Sequence, residues 1–199
     1  VGAAQAMKSK APTGSEFDRS IVLVGLMGAG KTSVGRRLAQ RLDLPFVDAD
    51  HEIEQAAGCT IEEIFKLYGE AEFRDGERRV MQRLLNGPCI VLATGGGAFM
   101  DPDTRAGIVE NGISVWLRAE LEVLLRRVLR RSDRPLLQKG DPKAILKQLI
   151  DLRYPVYAEA NITVDSSDGP HDVVVEKIIE ELCRFAKCAP AGAGQSAPT

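Results

Sequence analysis

Gly25-Leu26-Met27-Gly28-Ala29-Gly30-Lys31-Thr32 follows an apolar run at residues 21–24 and leads into a helical pattern at residues 33–42. A buried strand that delivers the chain into a glycine turn, with a helix directly after it, builds a phosphate-binding loop. The N–H groups of the turn point inward and lie at the positive end of the helix. Glycine is needed there because a Cβ would hold phosphate oxygens away from the backbone. The pattern assigns Gly28, Ala29, Gly30, Lys31, Thr32 and Ser33 to a nucleoside triphosphate, with Lys31 reaching the β- and γ-phosphates and the Thr32 hydroxyl on a Mg²⁺ ion.

Outward from this loop, further β-type runs occur at residues 45–47, 89–93, 113–117 and 161–164, separated by helical patterns. Such alternation specifies a parallel sheet with helices on both faces, and strands covered on both faces read as almost wholly apolar, as these do. Ligands of such sheets bind beyond the carboxyl ends of the strands. Chemistry is therefore expected just after each run: the phosphate loop, then Asp48-Ala49-Asp50, then Thr94-Gly95-Gly96-Gly97. A helical stretch at 59–85, inserted before the third run, is expected to wall a pocket for a second substrate. An arginine-dense segment at 126–134 ends in Arg134-Pro135-Leu136-Leu137, and a helical pattern at 142–158 carries Arg153.

The 199 residues suit one domain, taken as 20–186, between segments 1–19 and 187–199 whose Ala, Gly, Pro and Ser content without periodicity reads as disordered. A net charge of −2, spread over residues of both signs, gives no field to attract nucleic acid or an anionic membrane. No apolar run approaches the roughly 18 residues that span a bilayer, and neither a signal-peptide core nor an Arg-rich transit pattern is visible, so a cytoplasmic protein is expected. Cys59, Cys89, Cys183 and Cys188 form no CxxC pair, and in a chain that is 44% hydrophobic they read as buried or idle thiols.

Each candidate residue has a plain reading beside the chemical one. If the extended backbone persists, Asp48 and Asp50 leave it on the same side, one holding a metal through water and the other accepting a proton; otherwise Asp50 merely caps the next helix. The glycine triplet is either a surface that something approaches closely or a flexible loop. Arg74 could clamp a carboxylate bidentately, although an exposed arginine on a helix is the default. The 126–134 segment is a solvated face, an RNA patch disfavoured by the overall charge, or a lid whose Arg134 closes on the triphosphate. His51 and His171 fit no metal-ligand spacing and read as ordinary polar residues, and Trp116 reads as core.

Taken together, the chain resembles the shikimate kinases, a family of nucleoside-monophosphate-kinase-like P-loop proteins. The resemblance rests on Gly25 to Thr32, Phe46-Val47-Asp48-Ala49-Asp50, Phe73-Arg74-Asp75-Gly76-Glu77, Gly95-Gly96-Gly97, Arg134-Pro135-Leu136-Leu137 and Arg153, in order and at the family's spacing over about residues 20–182. It implies a P-loop NTPase three-layer α/β/α sandwich with a five-stranded parallel sheet, a helical substrate-binding region at about 50–85 and a lid at about 130–141. It also implies transfer of the ATP γ-phosphoryl to the 3-hydroxyl of shikimate. By motif position Asp50 would bind the diol and act as base, while Arg74, Arg153 and the glycines Gly95, Gly96 and Gly97 hold the acid. Phe65 and Phe73 would wall its pocket. Thr32 would ligate Mg²⁺ directly and Asp48 through water; Lys31 and Arg134 would serve the phosphates and Arg127 would stack on adenine. One departure is the loop 165–170, which has no arginine where some members carry one near the base. Shikimate and ATP are the expected partners of a monomer. A gluconate kinase is the rival enzyme, and a non-catalytic nucleotide-binding regulator the rival of another class.

Overall fold

The computed structural model describes residues 18–130 and 141–188. Arg134, nearly all of the expected lid and most of both expected disordered tails lie outside the described residues. The sheet grows from β1 (Ser20–Val24), all five residues of which are buried. Val91–Ala93 (β3) pairs with it on one side and Gly112–Arg118 (β4) on the other; β2 (Phe46–Asp48) and β5 (Ile162–Asp165) close the two edges in the order β2-β3-β1-β4-β5. All pairings are parallel. The expected five-stranded parallel sheet is thus present, with ends moved by one or two residues.

Helices cover both faces. Following the loop, α1 (Lys31–Leu42) lies so close to the sheet that a Cβ at Gly35 would come within 2.6 Å of the Phe46 ring and 3.1 Å of Leu23 Cδ1. Strand alternation then turns Val22 and Val24, both fully buried, to the opposite face. There α5 (Pro102–Asn111) packs against β4, after a 3₁₀ turn at Ala98–Met100. The remaining layer elements are α6 (Leu121–Leu129), which packs on α7 (Pro142–Tyr157), and α8 (His171–Cys188), which packs on α1. Edge strand β5 departs from the wholly apolar reading, alternating buried and exposed residues because only one of its faces is covered.

Where one helical stretch was expected at 59–85, the chain makes two helices, α3 (Ile61–Leu67) and α4 (Gly69–Leu85), preceded by α2 (Ala49–Ala57). Thr60 starts α3 through a capping box with Glu63, and Gly69, at φ 83°, turns the chain into α4. These helices enclose their own small apolar cluster, Ile53, Ile64, Phe73 and Val80, separate from the main core around the sheet. Trp116 lies in that main core as expected.

Candidate active site

The phosphate loop leaves β1 through Gly25, Gly28 and Gly30, at φ 142°, 82° and 96°. Those angles favour glycine, and the packing forbids anything else: a Cβ at Gly25 would meet Leu117 O at 2.9 Å, and one at Gly28 would meet Val128 Cγ2 at 2.9 Å. Gly30 is the N-cap of α1, without a side-chain cap, and the first turn of α1 holds no acid. Its N–H groups therefore present an uncompensated positive end to an anion. Lys31 Nζ arches back over the loop, donating to Gly25 O (2.7 Å) and Leu26 O (3.1 Å).

Thr32 Oγ1 donates to Asp48 Oδ2 at 2.9 Å, bringing together the two residues assigned to the metal. The extended backbone expected through 48–50 does not persist. Helix α2 begins at Ala49, and its cap is Asp48, not Asp50: Asp48 Oδ1 accepts from Asp50 N at 3.2 Å. Helical geometry carries the Asp50 carboxylate away from Asp48 and over the glycine triplet, where a Cβ at Gly95 would lie 2.8 Å from Asp50 Oδ1 and 2.8 Å from Glu77 Oε1.

The triplet is thus a floor on which charged side chains rest, which removes the flexible-loop reading. A Cβ at Gly97 would fall 2.6 Å from Arg74 Nη1, and one at Gly96 would fall 3.4 Å from Arg153 Nη1. Arg153 Nη1 donates to Gly96 O at 2.7 Å, and among the described residues its buried Nε has no hydrogen-bond partner. Arg74, half-buried on α4, donates to Glu77 at 2.7 Å and Glu70 at 3.2 Å. Glu77 is only 3% exposed, and burial pushes its carboxyl above the usual range despite the Arg74 guanidinium beside it. The rings of Phe65 and Phe73 stand 4.5 Å apart, Phe73 buried and Phe65 at the surface.

A cavity of about 530 Å³ extends from the phosphate loop to Asp50 and Gly96 of the glycine floor, lined among others by Lys31, Thr32, Asp48 and Arg127. The Arg127 guanidinium lies against the phosphate loop, donating to Gly28 O and Ala29 O (both 3.3 Å), to Ser166 Oγ (2.9 Å) and to Ser167 O. Ser166 Oγ in turn donates to Ala29 O at 2.8 Å. His171 also lines this cavity, with a buried Nδ1 that has no hydrogen-bond partner among the described residues. Burial, reinforced by Arg127 and Arg37, lowers its titration point.

Four contributors escaped the sequence reading: Glu77 was quoted in a motif without a role, and Ser166, His171 and Tyr157, whose hydroxyl donates to Gly96 O, had none. The signal for Ser166 and His171 was present, since both follow the last strand, at the sheet edge where ligands bind.

A family model described as shikimate kinase matches residues 27–183, from the phosphate loop through most of α8. Shikimate kinase of Bradyrhizobium diazoefficiens is 59% identical over 164 residues, covering 82% of this chain and 79% of that protein. That of Rhodopseudomonas palustris is 57% identical over 173 residues, covering 87% and 85%. A solved structure of shikimate kinase from Acinetobacter baumannii in complex with shikimate matches with a TM-score of 0.81 at 40% identity, over 86% of this chain and 97% of that one. Since these matches run through both ends of the cavity, this chain belongs to the shikimate kinase family.

Proposed function

We propose that this chain transfers the γ-phosphoryl of ATP to the 3-hydroxyl of shikimate, giving shikimate 3-phosphate and ADP. The observation that carries the reading is one cavity with the phosphate loop at one end and Asp50, above a floor shared with Glu77, Arg74 and Arg153, at the other. Shikimate is a carboxylate with vicinal hydroxyls, so guanidinium groups for the acid and a carboxylate for the hydroxyls are the inventory it calls for.

In the reaction the 3-oxygen bonds to the γ-phosphorus, the bond from that phosphorus to the bridging oxygen of ADP breaks, and Asp50 accepts the hydroxyl proton. Lys31 leaves its carbonyl partners for the β- and γ-phosphates, while the α1 N-terminus and Gly28 to Ser33 cradle the chain of phosphates. Thr32 and Asp48 form the pair of hard oxygen donors that suits Mg²⁺, which takes one or two protein ligands and completes its shell with phosphate oxygens and water. The ion would neutralise phosphate charge as the transition state develops. Arg74 and Arg153 hold the carboxylate, Phe65 and Phe73 wall the ring, and Arg127 flanks the adenine side. Arg134 closes on the phosphates from the 130–141 segment. A cytoplasmic monomer that needs neither nucleic acid nor membrane completes the reading; among the described residues no helix is long and apolar enough to cross a membrane.

A coupled assay of ADP release with shikimate, gluconate and nucleoside monophosphates tests the acceptor. Turnover with shikimate alone is expected, and robust turnover on another acceptor without it would overturn the assignment. Asp50→Asn should depress kcat far more than nucleotide affinity; a normal kcat would make that carboxylate structural.

A further inference from the structure

Arg153 and Tyr157 stand four residues apart on α7, the spacing that places two side chains on one helical face. Both reach the same atom. Arg153 Nη1 and the Tyr157 hydroxyl each donate to Gly96 O, occupying both lone pairs of that carbonyl. Tyr157 is 1% exposed, and its ring packs among Phe99, Trp116 and Tyr154, so the hydroxyl has no freedom to leave. Burial pushes its titration up to about 12, which keeps the donated proton in place through the neutral range. No peptide in the described chain is cis, so fixing the Gly96 carbonyl toward α7 aims the Gly97 N–H the opposite way.

We propose that Tyr157 is a positioning residue for the acceptor: its hydroxyl fixes the middle of the glycine floor and, through the shared carbonyl, the placement of Arg153. This rests on the reading of Arg153 as a ligand of the shikimate carboxylate. Tyr154 supplies an internal comparison, because it is a partly buried tyrosine of the same helix whose hydroxyl donates instead to Ala119 O, away from the floor.

Tyr157→Phe keeps the ring and removes the hydroxyl. The expected result is a rise in the KM for shikimate of roughly three- to tenfold, the size set by loss of one hydrogen bond, with kcat and the KM for ATP within about twofold of wild type. Tyr154→Phe should leave all three constants unchanged. In an Arg153→Ala background, Tyr157→Phe should add less than about twofold, because the two share one carbonyl and are hydrogen-bonded to each other. An unmoved shikimate KM, equal rises in both KM values, the same rise in Tyr154→Phe, or full additivity with Arg153→Ala would each overturn the proposal. Failure of the wild-type protein to phosphorylate shikimate would overturn the functional reading beneath it, an outcome visible before any variant is made.

Discussion

At the phosphate end of the cavity the chain leaves a fully buried strand, and the groups offered to a ligand are backbone N–H donors of a loop wedged between Leu117 and Val128. At the acceptor end the groups are long side chains on α4 and α7, resting on a floor of glycines. The first end inherits its precision from the main core. The second is mixed: the glycine floor and α7 belong to the main core through Phe99, Leu146 and Tyr157, whereas the outer part, α3 and the start of α4, rests on ion pairs and on the small cluster of Ile53, Ile64, Phe73 and Val80. One end is built wholly on the sheet and the other only in part, so substitutions in the small cluster and on α4 should separate acceptor recognition from nucleotide chemistry.

The largest effect is expected at the phosphate end. Lys31→Ala removes charge from the β- and γ-phosphates and should lower kcat by on the order of 10³-fold or more, by analogy with loss of one transition-state donor. Circular dichroism should show the fold intact. Next, Arg74→Ala should weaken shikimate binding by about 2–5 kcal/mol, much of it the cost of leaving the bound carboxylate without its partner, while leaving ADP binding nearly intact. Lysine should rescue poorly for want of the guanidinium fork. Calorimetric titration with each ligand checks both; equal losses for ADP and shikimate would erase the distinction between the ends.

A sharper comparison uses one truncation in each core. Leu38→Ala, in the main core, should cost about 3–5 kcal/mol of global stability, and Ile64→Ala, in the small cluster, about 2–3 kcal/mol. The two should differ in kind as well as size. Ile64→Ala is expected to raise the shikimate KM with ADP affinity preserved, whereas Leu38→Ala lowers the thermal midpoint and affects both ligands in proportion to unfolding. The smallest effect belongs to His171. Its folded titration point lies below the ordinary 6.5, so the fold favours the neutral ring. That preference costs nothing above the unfolded value and takes stability away as pH falls from about 6.5 through the folded value. His171→Asn should flatten part of the decline in thermal midpoint between neutral and mildly acidic pH.

The legibility of the two ends in the sequence follows the same division. The phosphate loop was readable because all its determinants lie within eight consecutive residues after an apolar strand. Arg74 and Glu77 were readable as a motif, but their resting place on Gly95 and Gly97, some twenty residues further on, is a tertiary fact. The strand end at Asp48 was misjudged because Asp-x-Asp serves equally as an extended pair and as a helix cap, and a three-residue edge strand is too short to hold the first. Ser166 and His171 stayed hidden because their meaning depends on the phosphate loop, Ser166 bonding Ala29 across 137 residues.

That bond has a consequence for synthesis. The carbonyls of Gly28 and Ala29 are tied down by Arg127 and Ser166, so the loop is locked by residues made long after it, Ser166 following Ala29 by 137 positions. A chain still emerging from the ribosome holds β1 and the loop with the central strand missing a neighbour until β4, which begins at residue 112, has been made, and β5 is added later still. Full nucleotide binding should therefore appear only once Ser166 has left the ribosome. The most local motif of the fold waits on one of its most distant contacts.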